Sequence, residues 1–287
     1  MTGVQTCALP ILFSGFGTEN YQARVNSLRY GLDGWVYGSC GLFGGKIVNF
    51  RGESFALGNR DFRIQPDTGA LEPVTGTTQQ GRVRNDWGDW FGCDNGTLIR
   101  HYPLEDRYAK RNPSVAIPAT ASFHFLDADP TRLYSISNPT LFPLSGPPNR
   151  VTAACGLEIY RDERLGADWR GDSFTCEPVS NLVHHLRLES HGTTFAGKRA
   201  AGEEAREFLA STDTWFRPVQ VRSGPDGAVW VVDMYRYVIE HPRWIPPETV
   251  AELDVRAGHD RGRIYRVAPR DGRAGWPSVE EIGRAHV

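Results

Sequence analysis

Lysine is almost missing from this chain. Lys46, Lys110 and Lys198 are its only lysines, so the 32 basic residues are nearly all arginine. Chemistry that runs through a side-chain amine, such as a Schiff base, therefore has little to draw on. An excess of positive charge is missing too: the formal net charge is −2, whereas a nucleic-acid partner usually demands a basic footprint. No apolar run approaches the roughly 18 residues that a membrane helix requires. Cysteine is sparse and unpatterned. Apart from Cys7, which falls in an adaptor-like end of the chain, Cys40, Cys93, Cys155 and Cys176 form neither CxxC nor CxxCH nor a zinc-type spacing, which excludes covalent haem and zinc-finger readings for this chain. Their even number suits two disulfides in an oxidising compartment, with Cys155–Cys176 and Cys40–Cys93 as the pairs on sequential or neighbouring strands. Four buried thiols are the other reading. Helical periodicity is scarce as well. The best candidate, "GEEAREFLASTDTWF", supports one or two turns through Ala205, Phe208 and Leu209.

What is present is a recurring β unit. "SLRYGLDGWVYGSCG" from Ser27 and "QVRSGPDGAVWVVD" from Gln220 each place a strand-like approach before a G-x-D-G turn, followed by aromatic or β-branched residues. Asp and Gly suit that turn because they tolerate the positive φ of a tight reversal. "VRNDWGDWFGCDNG" from Val83 and "ADWRGDSFTCEP" from Ala167 are looser copies. Steps of about 55 residues, with one near 80 that holds a Pro-rich stretch, predict propeller blades. "RGRIYRV", Arg261 to Val267, reads as a last strand. The predicted fold is all-β: an incomplete six-bladed β-propeller with four to five blades present. The ends read differently. Codons for "QTCALPI" (Gln5 to Ile11), taken on the reverse strand one frame over, give the closing "IGRAHV", as a sequencing adaptor would. The expected division is thus 1–11 and 281–287 as adaptor-like, 12–268 as propeller and 269–280 as linker, within a longer protein.

These stretches carry a resemblance. "LRYGLDGWVYGSCG", "NRDFRIQPDTGALEPVTG", "NDWGDWFGCDNG", "ACGLEIYR", "FTCEPVSNLVHH", "STDTWFRPV", "GPDGAVWVVDMYRYVIEHPRWIP" and "DRGRIYRV" are similar to the propeller domain of the PVC-type membrane-bound dehydrogenases, a branch of the glucose/sorbosone dehydrogenase-like propellers. The resemblance implies oxidoreductase chemistry on a sugar-like substrate, with pyrroloquinoline quinone and calcium as cofactors. It implies a c-type cytochrome domain or protein as electron acceptor, in the periplasm or outside the cell. One departure stands out. Quinoprotein glucose dehydrogenases carry a basic histidine just ahead of such a turn, and "YQARVNSLRYGLDG" has none. Either the base lies in another blade or this branch has left that reaction. A calcium-dependent lactonase-like hydrolase and a non-catalytic ligand-binding propeller are the alternatives.

Candidate site residues follow from the blade idea, because inner strands converge on one channel. Arg24 and Arg217 stand at one spacing before Gly31 and Gly224. Two arginines at a channel rim can hold a carboxylate or a quinone oxygen; stacking on Tyr21 and Trp215 with bonds to strand-end carbonyls is the plainer reading. "VVDMYRYVIEHP" loads Asp233, Tyr235, Arg236, Glu240 and His241 after an apolar strand. His241 beside Glu240 reads as a proton acceptor, and Tyr235 and Arg236 as cofactor contacts. Asp233 and Arg236 alternatively tie a long connection to the sheet. His184 and His185 point to opposite faces of a strand, so at most one, taken as His184, faces a channel. Glu177, Asp233, Asn85 and Asp86 are the candidate calcium oxygens, with turn capping as their ordinary role.

Overall fold

The computed structural model describes residues 12–109, 111–112, 114, 120–138 and 145–270. The adaptor-like ends therefore lie outside the described residues. Strands dominate what is described, and the only α-helices there are two short ones, α1 (Asp106–Ala109) and α2 (Pro247–Glu252). No helix among the described residues is long and apolar enough to cross a membrane.

Four antiparallel hairpins set the plan. They join β2 (Asn26–Tyr30) to β3 (Val36–Ser39), β8 (Gln80–Arg84) to β9 (Trp90–Asp94), β12 (Cys155–Ile159) to β13 (Ser173–Glu177), and β17 (Pro218–Ser223) to β18 (Val229–Asp233). Each grows outward. β6 (Asp61–Gln65) and β7 (Ala70–Val74) extend the first sheet, β10 (Thr97–His101) the second, β14 (Leu182–His191) and β15 (Thr194–Lys198) the third, and β19 (Arg263–Val267) the fourth. β11 (His124–Phe125) joins β15 in parallel, and β16 (Leu209–Ala210) joins β14. A fifth sheet combines β1 (Phe13–Phe16), β4 (Gly45–Asn49) and β5 (Ser54–Ala56). The inner strands β2, β8, β12 and β17 lie side by side in chain order. Separate small antiparallel sheets stacked through their first strands make an all-β, propeller-type architecture.

The repeat has a structural signature beyond the turn. Every inner strand carries one extra residue near its start: the register slips between Asn26 and Arg29, Gln80 and Val83, Cys155 and Glu158, and Pro218 and Gln220. These are β-bulges, which add local twist and let a strand bend toward an axis. Gly81 and Gly156 occupy two of them at φ 85 and 61. A Cβ on Gly81 would meet Leu157 N at 2.6 Å, and one on Gly156 would meet Val219 O at 2.5 Å. Glycine there lets neighbouring inner strands touch backbone to backbone.

Apolar faces of adjacent sheets fill the space between them. Val83, Phe91 and Ile99 meet Leu157, Ile159 and Leu186 between the second and third sheets. Tyr160, Phe174 and Val183 meet Phe216, Val221 and Val231 between the third and fourth. Burial of these side chains is the main force stacking the blades.

Three expectations are corrected. "GEEAREFLASTDTWF" forms turns and β16 rather than a helix. Its Glu203 and Glu207 bond two adjacent histidines on opposite faces of β14, which a helix presenting both on one side could not do. The four described cysteines are free thiols: Cys155 and Cys176 face each other across β12 and β13 with no bond between them, while Cys40 and Cys93 belong to different core clusters. The "ADWRGDSF" copy is a 3₁₀ turn, Ala167–Trp169, inside the long β12–β13 connection and not a tight hairpin.

Candidate functional site

Because the hairpins run in one sense, each has a turn end and an open end. The open ends of β8, β12 and β17, with the chain before β2 and after β18, enclose a cleft of about 370 Å³. Cys155, Val179, Val219 and Met234 make its apolar lining, and Gln22, Gln80, Asn95 and Thr152 its neutral polar one. The polar wall is tied together. Gln80 Nε2 donates to Gln22 O (2.8 Å), and Gln22 Nε2 donates to Ile239 O (2.6 Å), so the segment entering the first sheet reaches the segment leaving the fourth. Tyr21 stacks on His241 with centroids 5.0 Å apart, and the Arg24 guanidinium lies 4.4 Å from the centre of the same ring. Glu240 is the one carboxylate among the described lining residues, and its Oε1 accepts from Ser145 Oγ at 2.9 Å.

His241 has a defined tautomer. It caps the 3₁₀ turn Pro242–Trp244, with Nδ1 accepting from Arg243 N at 3.0 Å. A neutral imidazole that accepts at Nδ1 carries its proton at Nε2 and donates there. His241 in this state offers a cleft ligand a hydrogen bond and cannot accept its proton at Nε2. Glu240, which also lines the cleft, is the proton acceptor at hand.

Arg217, Asp233 and Arg236 form a different structure. Arg217 is buried. Its Nε donates to Arg236 O (3.0 Å), Nη1 to Pro178 O (2.8 Å) and Nη2 to Tyr237 O (2.7 Å). Asp233 Oδ1 receives Arg217 N and Tyr235 N, both at 2.8 Å. Burial raises the pKa of this carboxyl. Arg236 is spent on the carbonyls of Met234, Gly258, His259 and Arg261. Tyr235, at φ 51, holds the Arg263 guanidinium 3.7 Å from its ring centre. This network ties the connection after β18 to its sheet, and β18 is a middle strand, so the loaded segment does not follow an inner strand.

Glu177 is fully buried and accepts from the backbone N–H groups of Thr152 (3.0 Å), Ala153 (2.6 Å) and Ser180 (2.8 Å). Burial raises its pKa against those bonds. Asn85 Oδ1 caps the β8–β9 turn through Trp87 N and Asp89 N. Asp86 bonds Arg161 (2.5 Å) and Arg170 (3.1 Å); burial works against its ionisation, but the two arginines outweigh it and hold the carboxyl below the usual range. Asn85 and Asp86 sit at the turn end, Glu177 and Asp233 at the open end. The four do not converge, and no group of three or more His, Cys, Asp or Glu among the described residues is placed to hold a metal ion. These residues do not fit calcium. Nor does the cleft fit an anionic quinone: no arginine or lysine is among its described lining, and Arg217 gives four of its five N–H donors to backbone carbonyls.

His184 and His185 are both buried in β14, and neither is among the cleft's described lining. His184 Nδ1 bonds Glu207 Oε2 at 2.7 Å. His185 is stacked by Trp169 and Phe174 and bonds Glu203 (2.8 Å) and Asp172 (3.2 Å). Burial opposes its charge, yet the two carboxylates outweigh burial and raise the imidazole above its ordinary 6.5. With the folded value raised, the stability from this contact is complete below about pH 6.5 and is lost as pH rises through the folded value. Glu158, pushed by burial to about 7 from 4.5, also removes stability as pH rises, over that lower window. Thermal melts of wild type and His185→Gln should therefore diverge below pH 6.5 and draw together above it. Parallel curves would sink the reading of a charged His185.

Sequence reasoning named Tyr21 only as a stacking partner of Arg24 and missed Gln22, Gln80 and Asn95. The signal was there for one of them: Gln80 precedes its turn residue Asn85 by the spacing that separates Asn26 from Gly31 and Cys155 from Tyr160.

A search of curated proteins finds no match. Among solved structures, the chain is similar to the soluble aldose sugar dehydrogenase of Escherichia coli in its apo form, at 15% identity and a TM-score of 0.35, over 72% of this chain and 60% of that one. The chain thus spans less than two thirds of that dehydrogenase. It is also similar to a structure described as a presumptive gluconolactonase, at 13% identity and a TM-score of 0.31, over 77% of this chain and 75% of that one. A family profile matches residues 9–271. That match spans most of the chain and all five sheets, and the chain belongs to the family described as a domain of unknown function, DUF7133.

Proposed function

We propose that the domain binds a neutral sugar or related polyol in the open-end cleft, as the substrate-holding propeller of a PVC-type, glucose/sorbosone-like dehydrogenase in the periplasm or outside the cell. The domain holds the sugar while a redox group supplied from outside this cleft takes two electrons and two protons from it and passes the electrons to a c-type cytochrome. One observation carries the reading: the described lining offers amides, hydroxyls, aromatic rings and a single carboxylate, with no cation. Neutral hydrogen-bonding groups beside ring faces suit a ligand that is uncharged, rich in hydroxyls and partly apolar. Within the cleft, His241 donates to a ligand hydroxyl and Glu240 accepts from one. The calcium lactonase reading loses support because its candidate oxygens lie at two ends of the sheets.

Titration calorimetry of the full chain tests this, with aldoses and polyols against aldonates and lactones, each with and without calcium and pyrroloquinoline quinone. Neutral polyols should bind without calcium, and Gln80→Ala should weaken them about 2–10-fold, the worth of one hydrogen bond. Dye reduction on adding quinone would extend the reading to turnover by this chain. Calcium-dependent lactone hydrolysis, or no binding of any neutral sugar, would overturn it.

A further inference from the structure

At the turn end of the same strands, arginines gather around a second cavity of about 180 Å³, lined by Arg29, Tyr30, Val83, Arg84, Glu158 and Arg161. The repeat explains the gathering. Gly31, Asn85, Tyr160 and Gly224 each donate their backbone N–H to close a blade connection. Two residues before them stand Arg29, Val83, Glu158 and Arg222, one from each inner strand. Strands lying side by side bring these positions onto one axis.

The charges there do not balance. Three guanidiniums line the cavity against one carboxylate, and Arg222 Nη1 already contacts that Glu158 at 3.2 Å. Arg84 donates to the carbonyls of Tyr30 (2.7 Å) and Asn85 (2.9 Å), which satisfy its N–H groups without neutralising them. Burial and then the like charge of Arg161 lower its pKa. Arg161 gives its Nε to Asp86. Arg29 gives Nη1 to Leu28 O at 2.7 Å, while its Nη2 is buried with no hydrogen-bond partner. A buried, unpaired guanidinium N–H is costly unless something accepts from it.

We propose that this cavity is an oxyanion site that takes a small carboxylate or phosphate, with Arg29 Nη2 as its open donor and Arg84 and Arg161 supplying the surrounding positive charge. Guanidinium groups suit such ligands because their N–H donors match a pair of oxyanion oxygens. The exposed Tyr30 ring gives an organic acid a flat surface at the mouth. The site is separate from the polyol cleft and does not depend on it.

Calorimetry of the full chain at low ionic strength, where screening is weak, and well above pH 7, where Glu158 is ionised despite its burial, tests the proposal with gluconate, citrate and inorganic phosphate as probes. One of them should bind. Arg29→Gln should weaken it by about tenfold or more, and Glu158→Gln should tighten it by removing the competing negative charge. Binding of phosphate alone identifies an inorganic ligand, and binding of the organic acids a metabolite carboxylate; either supports the site. Three results would overturn it: no binding by any probe, unchanged affinity in a folded Arg29→Gln protein, or unchanged or weaker affinity in Glu158→Gln. The last comparison decides the matter if Arg29→Gln fails to fold.

Discussion

Asp61→Ala should cost the fold about 3–5 kcal/mol, the usual loss when one partner of a buried ion pair is removed. Asp61 and Arg82 both have fully buried side chains, joined at 2.6 Å. Arg82 lies among the rings of Trp90, Tyr102 and Tyr37, at 5.0, 5.1 and 5.8 Å from their centres. Ring faces attract a cation but do not neutralise it, and Arg82 Nε and Nη2 have no hydrogen-bond partner. Removing Asp61 would leave a full charge in the core. It would also orphan Cys40 N and Thr78 N and leave Thr78 Oγ1 with Tyr102 Oη alone; all three donate to Asp61 and tie the first sheet to the strand entering the second. Urea unfolding measures the loss. Asp61→Leu combined with Arg82→Met should be far less damaging than Asp61→Ala alone, because no charge is then left unpaired. A loss below about 1 kcal/mol in Asp61→Ala would show that the rings suffice, and this account of Arg82 would fail.

The fold was legible where backbone chemistry is local. "GLDG" and "GPDG" announced two turns because Asp33 and Asp226 accept from N–H groups two residues on, Trp35 and Ala228. "VWVV" read as an apolar strand, and β18 is one, with partners on both sides. "RIYRV" read as the last strand, and β19 closes the fourth sheet. The fourth copy misled because "RGD" and "GxD" patterns also suit a loop, and only the pairing of β12 with β13 shows the connection to be long. The disulfide expectation failed on the same limit: spacing cannot tell facing thiols from bonded ones.

The site was less legible because its residues are ordinary ones in ordinary places. Gln22, Gln80 and Asn95 have no catalytic look; Gln80 alone shares a repeated spacing before its turn, and no local pattern announces the other two. His241 is among the cleft's lining residues, while Arg24, which is not, stacks on Tyr21 as the plainer reading of that arginine has it. Arg217 shares Arg24's spacing but not its surroundings. Arg24 is exposed before β2 starts, while Arg217 is buried against the turn between β13 and β14. Equal spacing from a turn sets distance along a strand and says nothing of what packs over it.

Arg217 accordingly yields the second large effect. Its three side-chain nitrogens hold the carbonyls of Arg236, Pro178 and Tyr237, which joins the turn after β13 to the segment after β18. Arg217→Ala would leave those buried acceptors unpaired at about 1–3 kcal/mol each, so a total loss of about 3 kcal/mol or more is expected. Arg217→Lys should rescue little, since one ammonium cannot span three carbonyls that a planar guanidinium reaches together. Pro178 and Val179 also line the cleft, so polyol affinity should fall in step with the melting temperature in both variants. A residue that bonded ligand directly would behave otherwise: Arg217→Ala would lose binding at an unchanged melting temperature. That result would return Arg217 to the site and remove it from the frame.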